Sequence, residues 1–476
     1  MVSRFKRLCL YSVSVCICIA GSCSPAFSQE SPAGIDTAAI EAGIADAAFA
    51  ANNGFMLICC ALVLFMTAPG LAMFYGGLVR RKNVLSVMMQ CVFLMGLMTV
   101  IWAVYGYSLA FGGSGGWIGN TEYLFMNGVQ RYWDESTNSA VTPIFDPAIR
   151  ITTQTHMLFQ GMFFIITPAL ICGAFAERMK FSAMAIYSVL WGTFIYCPLC
   201  HWVWDGGPLS YGPSSIAGGA LDFAGGTVVH ISSGISALAA AILIGPRMGF
   251  LKEPIQPHNL TYTALGATML WFGWFGFNAG SELLSDDLTS SAFAVTHFSA
   301  AAGAVAWALT EWFVLKKPTV LGASSGAVSG LVCITPAAGF VQPMPAIMMG
   351  AAAGVVCYLA CSKLKHTLKY DDALDAFGVH GIAGMLGAVL TGVFATRACW
   401  DVTGKGEAIG LIESGGDPSL VIGQLAAVGV TIVFAGIGSL ILLKAIDIAI
   451  GLRVTAESEQ RGLDVTDHGE EGYMFA

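Results

Sequence analysis

The sequence predicts an all-α polytopic membrane protein with eleven transmembrane helices, and three observations carry that prediction. Hydrophobic residues make up 56% of the chain and charged residues only 11%, where soluble domains carry about 25% charge and have surface enough to need it. Apolar runs of about 18 residues or more recur along the chain, long enough to cross a ~30 Å hydrocarbon core, and they are continuous rather than alternating as barrel strands are. Lys and Arg fall unevenly in the segments between those runs.

In chain order, Arg4, Lys6 and Arg7 precede a short apolar run, and Ala26-Phe27-Ser28 offers a cleavage site. Residues 1–28 therefore read as a cleaved signal peptide; Ala20-Gly21-Ser22-Cys23 is a poor lipoprotein box. The expected spans are 54–78, 84–111, 156–176, 182–203, 223–245, 260–281, 291–314, 319–337, 344–362, 375–396 and 419–450. They place a transmembrane domain over 29–451, a polar external loop near 112–155 and a charged tail over 452–476. With the mature amino terminus outside, the inner loops hold fourteen basic residues, from Arg80, Arg81 and Lys82 to Arg453 and Arg461. The outer loops then hold Arg131, Arg150, Arg397 and Lys405 alone. The positive-inside rule supports this multi-pass orientation in an inner (cytoplasmic) membrane, with the carboxyl terminus cytoplasmic.

The 57 glycines suit helices that pack closely in lipid. A net charge of −8 with no basic stripe argues against a nucleic-acid partner. The cysteines lie almost entirely in apolar segments and read as small core residues. No nucleophile–base arrangement, metal cluster or phosphate loop is visible, so an enzyme is disfavoured and neither a cofactor nor a metal is implied.

Two histidines lie inside spans, where titratable groups are rare. His230 follows Asp222, and His380 follows Asp372, each by eight residues. Span five starts outside and span ten inside, and eight helical residues rise ~12 Å. Both histidines thus reach mid-membrane, from opposite sides. That pattern predicts an inverted repeat of spans one to five and six to ten, with the eleventh helix added and the site at the midplane. Either histidine alone would read as a helix–helix hydrogen bonder; the matched pair favours a polar pore or a shared proton. Asp222, Asp372 and Asp375 read first as helix caps. Trp204, Trp274, Phe277, Ser281 and Phe163 cluster toward the outer ends of their spans. Two readings stay open for them: an interfacial belt or core packing, and an aromatic face with a hydroxyl that receives a small cation.

Five segments carry a resemblance: Phe74-Tyr-Gly-Gly-Leu-Val-Arg-Arg-Lys-Asn83, Phe175-Ala-Glu-Arg178, the ten residues through His230, Gly273-Trp-Phe-Gly-Phe-Asn-Ala-Gly-Ser281 and Phe377-Gly-Val-His-Gly381. Together, from about residue 50 to the tail, they closely resemble the ammonium transporter (Amt/Mep/Rh) family, bacterial Amt type. The resemblance implies an eleven-helix homotrimer with one pore per subunit that moves ammonium, and methylammonium, inward for nitrogen assimilation. It assigns Trp204, Ser281 and Phe163 to an external cation site, Phe163 and Phe277 to a stacked gate, and His230 and His380 to a twin-histidine relay. Trp274 becomes pore-lining and Asp222 a structural support. The tail resembles a regulatory segment, implying subunit coupling and contact with a PII-type protein; a solvated tail is the plainer reading. Departures from the pattern are Asp205, where a glycine is expected, Met162 at an often small position, and the long external loop. The alternatives are an ammonium sensor signalling through its tail and a Rh-type gas channel, which the Trp204 and Ser281 matches disfavour.

Overall fold

The computed structural model describes residues 36–113, 115–400 and 409–473. The expected signal peptide at 1–28 and Lys405 lie outside the described residues. The chain divides between Ala47 and Ala48; the described part of the first unit is an exposed run of helix from Thr37. Among the described residues, nine helices are long and apolar enough to cross a membrane. They are α1 (Thr37–Leu78), α2 (Arg81–Phe111), α3 (Thr153–Phe175), α4 (Phe181–Trp204) and α5 (Gly226–Ile244), then α7 (Asp287–Leu315), α9 (Pro343–Leu368), α10 (Phe377–Phe394) and α11 (Ser419–Ile450). Two more apolar rods stand at expected spans. α6 (Leu260–Ala279) has the length, but Thr261, Tyr262, Thr263 and Thr268 dilute its hydropathy, and α8 (Val320–Ile334) has 15 residues.

Hydropathy alone does not say which apolar helix is central, because lipid and protein core are equally apolar. Burial does. The most apolar windows of α3 and α5 are each 83% buried, against 28% for α11, whose Ile441 and Ile448 are exposed. Helix starts follow local chemistry. Thr152, Asn259 and Thr319 each accept a backbone N–H two or three residues into α3, α6 and α8, and Asp286 with Thr289 forms a reciprocal capping box on α7. Pro69 interrupts α1, where Ala68 leaves helical geometry. α5 and α10 both open on a wide π-type turn, Gly226–Ile231 and Phe377–Gly381; such turns frequently mark functional sites.

The two helices with that opening also meet closely. A Cβ at Gly234 would stand 2.2 Å from the Gly381 nitrogen and 2.3 Å from its Cα, so α5 and α10 touch backbone to backbone. Gly303, Gly326 and Gly354 do the same where α7 packs on α8 and α9.

The long loop after α2 is not bare coil. It holds two small antiparallel hairpins, β1 (Tyr132–Asp134) with β2 (Ser139–Val141), and β3 (Ile144–Asp146) with β4 (Ile151–Thr152). At the other end of the bundle, Glu177 is fully buried between Arg80 and Arg247, at 2.9 and 3.1 Å, and Arg247 grips Asp371 with two donors at 2.8 and 2.9 Å. Burial pushes the Glu177 carboxyl up, and the two guanidiniums more than reverse this and hold it below the usual range.

The tail folds back onto this end as α12 (Ala456–Arg461) and α13 (Leu463–His468). Leu463 is fully buried, Asn83 Oδ1 accepts its N–H at 2.8 Å, and Asp464 caps α2 by accepting the Ser86 N–H at 2.8 Å. Glu459 accepts the Met248 N–H at 2.7 Å and pairs with Arg453 at 2.7 Å. The solvated-tail reading is corrected here: a buried leucine and three side-chain-to-backbone locks replace solvent contacts.

Two outcomes follow. Gly234→Ala should lower the thermal midpoint in detergent, since overpacking costs about 1–3 kcal/mol, whereas Gly429→Ala, which meets open space, should not. Glu459→Ala should make the tail cut faster in limited proteolysis without lowering the global midpoint comparably.

Candidate functional site

Three cavities follow one another, the first walled largely by α3, the end of α4 and the loops beyond, the second at the histidines of α5 and α10, and the third among α1, α7, α8 and α9. The first has a volume of about 320 Å³ and is walled by Phe163, Trp204, Asp205, Asp222, Ser281 and Glu282 among others. The second holds about 10 Å³ and is lined by apolar side chains such as Leu71, Ile166, Leu270 and Val328, together with His230 and His380. The third, of about 540 Å³, opens at the end where the ion pairs lie and is lined by Leu78, Val379, Lys365 and Asp375.

Aromatic rings separate them. Phe163 faces the first cavity, Phe277 faces the second, and their ring centroids are 4.4 Å apart. Trp204 meets Phe163 edge-on at 5.8 Å on the vestibule side. Phe277 then stacks on His230 at 5.9 Å, and His230 on His380 at 5.3 Å with only 13° between the planes. The Nδ1 atoms of the two histidines are 3.3 Å apart, so one ring must donate the hydrogen that the other accepts. Phe74 lines both the second and the third cavity.

Each ring is held by its own partner. The Trp204 indole N–H donates to the Asp222 carbonyl at 2.8 Å, and that of Trp274, stacked 5.4 Å from His230, donates to Thr335 Oγ1 at 2.9 Å. Ser281, placed by the last turn of α6, donates to the Phe277 carbonyl at 2.9 Å, which leaves its oxygen lone pairs for another donor. Asp222 lines the vestibule, but its carboxylate accepts four backbone N–H groups, those of Gly225, Gly226, Thr227 and Val228, at 2.6 to 3.1 Å. These are the donors that the first turn of α5 cannot satisfy itself. Asp372 does the corresponding work for α10, accepting the Phe377 N–H at 2.7 Å. Asp375 does not cap; it pairs with Lys365 at 2.7 Å.

The structure thus gathers all eight sequence-derived residues on one line, from Trp204 and Ser281 to His380. A model of the Ammonium Transporter Family matches residues 54–473. The chain belongs to the ammonium transporter family. Relatives include the ammonium transporter of Bacillus subtilis, 46% identical over 423 residues, which span 88% of this chain and 98% of that protein. The ammonium transporter Amt1 of Archaeoglobus fulgidus is 42% identical over 89% of this chain and 99% of its own. Among solved structures, Saccharomyces cerevisiae Mep2 superposes with a TM-score of 0.75 at 31% identity, covering 86% of this chain and 88% of that one. A chain described as a sensor Amt protein gives 0.77 at 27% identity, covering 89% and 99%.

Several lining residues of this family member carried no sequence signal. Phe74, Leu270 and Val328 are apolar residues in apolar helices, and nothing in their pattern separates passage from core. Phe145 and His156 enter the vestibule wall from the long loop and α3, with rings stacked 3.6 Å apart and 8° from parallel; only the fold brings them together.

Asp222→Ala would strand four buried donors. At about 1–3 kcal/mol each it should destabilise by at least ~4 kcal/mol, and Asp222→Asn, which keeps an acceptor, should fall between it and the parent when thermal unfolding is measured.

Proposed function

We propose that this chain carries ammonium, and methylammonium, across the membrane into the cytoplasm. The observation that carries this reading is the pair of histidines, Nδ1 to Nδ1 at 3.3 Å, set in an otherwise apolar passage behind a closed aromatic pair. Ammonium is a small cation with four donors. Aromatic faces at Trp204 and Phe163 and the lone pairs of Ser281 replace part of its water shell. The bare ion is costly in the apolar segment whichever scale is used. Deprotonation at the vestibule lets neutral ammonia pass the Phe163/Phe277 pair, while His230 and His380 relay the proton. Potassium, of similar size, has no proton to give up and is rejected.

The same reading puts the vestibule outside and the tail in the cytoplasm of an inner membrane, as the distribution of basic residues requires. It takes all eleven rods as membrane-crossing, 1–28 as a removed signal peptide, 29–451 as the transport domain, and the assembly as a homotrimer with one pore per subunit. The inverted repeat is supported by α4 and α9, which each contain a π-type turn, and by α5 and α10, which each open on one after a capping aspartate. The docked tail over 452–473 offers a surface for a PII-type regulator. It is also the observation that favours a second reading, an ammonium sensor that conducts little.

Ammonium-evoked current from purified protein in liposomes tests both readings. The parent should give a current that excludes potassium, and the His230→Ala/His380→Ala variant should lose the current or the selectivity. Unchanged, still selective current in the double variant would sink the relay. No current with retained ammonium binding would favour sensing or neutral ammonia conduction, which a pH-change flux assay separates.

A further inference from the structure

Asp205 follows directly on Trp204, at the end of α4, and shares the vestibule wall with Phe163 and Ser281. Its Oδ2 is buried and sits 2.9 Å from Nδ1 of the buried His201, while a quarter of its side chain is exposed. That nitrogen also meets the Ala110 carbonyl at 3.1 Å and Oδ2 accepts no hydrogen bond, so the carboxylate is not spent on a protein donor. Asp222, in the same wall, is by contrast spent on four backbone donors. Much of the cavity's lining is aromatic, with Phe145 brought in by the β3 hairpin. A charge in such a half-enclosed, poorly polarisable cavity acts more strongly on an entering cation than the same charge in bulk water.

We propose that Asp205 is a cation-binding residue of the vestibule that sets the affinity for ammonium rather than the rate of its passage. The inference rests on the transport reading above and adds to it a carboxylate beside the aromatic and hydroxyl groups. Burial first, against the opposing pull of His201, raises the Asp205 carboxyl to about 6. The sign follows: the carboxylate is charged and attractive above that pH and neutral below it. The other titratable groups around it are His201 and Cys200 on its own helix, Tyr107 on α2, Glu122 and Tyr123 from the long loop, and, lining the same cavity, His156 on α3, Tyr211, Asp222 ahead of α5 and Glu282 after α6. Asp222 is common to parent and variant, as are the rest, so a difference between the two isolates Asp205.

The test is methylammonium uptake by the full chain in liposomes, with Asp205→Asn, which keeps shape and the His201 contact, and Asp205→Glu, which restores charge. Above pH 6, Asp205→Asn should raise KM about fivefold, roughly 1 kcal/mol, with a much smaller change in Vmax, and Asp205→Glu should recover most of it. Added salt should shrink the difference. On acidification through about 6 the parent's KM should rise toward that of Asp205→Asn. A KM within twofold of the parent for Asp205→Asn, or a lowered Vmax at unchanged KM, overturns the proposal and leaves Asp205 a loop-positioning residue. Calorimetric binding of methylammonium to the detergent-purified proteins keeps the two readings apart. If the parent binds but carries no flux, the transport reading fails, and weaker binding by Asp205→Asn still supports the vestibule site while equal binding removes it.

Discussion

The site depends on one contact, the crossing of α5 and α10 at Gly234 and Gly381. In lipid no hydrophobic force draws helices together, so close approach comes from packing and from small residues that permit it. Here the backbones touch, with no space for even one added carbon. His230 lies one turn before Gly234 and His380 immediately before Gly381, so the same crossing sets two imidazoles face to face. The wide first turns of both helices belong to this arrangement. In α5 the His230 N–H reaches back to Gly225 rather than to the residue four before it, which rotates the histidine relative to an ordinary α-helix. The aspartates eight residues upstream supply acceptors at the helix starts, so neither turn leaves its donors bare in a dry interior.

Around that crossing, several buried polar side chains are tied to a partner. Trp274 is tied to Thr335, Trp204 to the Asp222 carbonyl, and Asn278 to Thr296 at 2.9 Å. What remains facing the small cavity is hydrocarbon, aromatic faces and the histidine pair. Such a lining offers an ion no replacement for its hydration, but costs a small neutral molecule little. The vestibule has the opposite character, with carboxylates, a serine and ring faces. In the proposed transport, recognition of a cation and passage of a neutral species are separated by the two phenyl rings of Phe163 and Phe277.

Much of this was legible from residues. Membrane-spanning helices follow from composition and run length, and the paired Asp-to-His spacing foretold two histidines meeting from opposite ends. Eight named residues fall on one line. Other features were illegible for physical reasons. Hydropathy cannot distinguish a lipid face from a packed face, so nothing marked α3 and α5 as the core or Phe74 as part of the passage. α6 and α8 stood out in sequence by position between loops, yet one is diluted by threonines and the other is short. Asp375 was read as a cap beside Asp372; Lys365, ten residues earlier on α9, competes for it, and no local rule anticipates that. The tail looked like solvated chain because its charges are many, but Glu459 and Asp464 are buried by serving backbone donors of other segments.

Those tail contacts have a mechanical consequence. Glu459 holds the Met248 N–H, and the preceding residue, Arg247, grips Asp371 with two nitrogens. The residue after Asp371 is Asp372, which caps the turn carrying His380. Five residues in direct contact or covalent succession therefore join the tail to the opening of α10, and every polar link among them is charge-assisted. Hydrogen-bond and ion-pair chains of this kind carry coupling where the element they join has two arrangements. A tail that lifts as a unit would remove the partner of Met248 and unload Arg247, whose remaining hold is on Glu177 and Asp371. Trp204, Asp205 and Ser281, at the vestibule end, sit at helix ends whose neighbours are loops. On the proposed reading, changes at that end bear on how a cation is received, whereas changes at the tail reach the histidine pair through the start of α10.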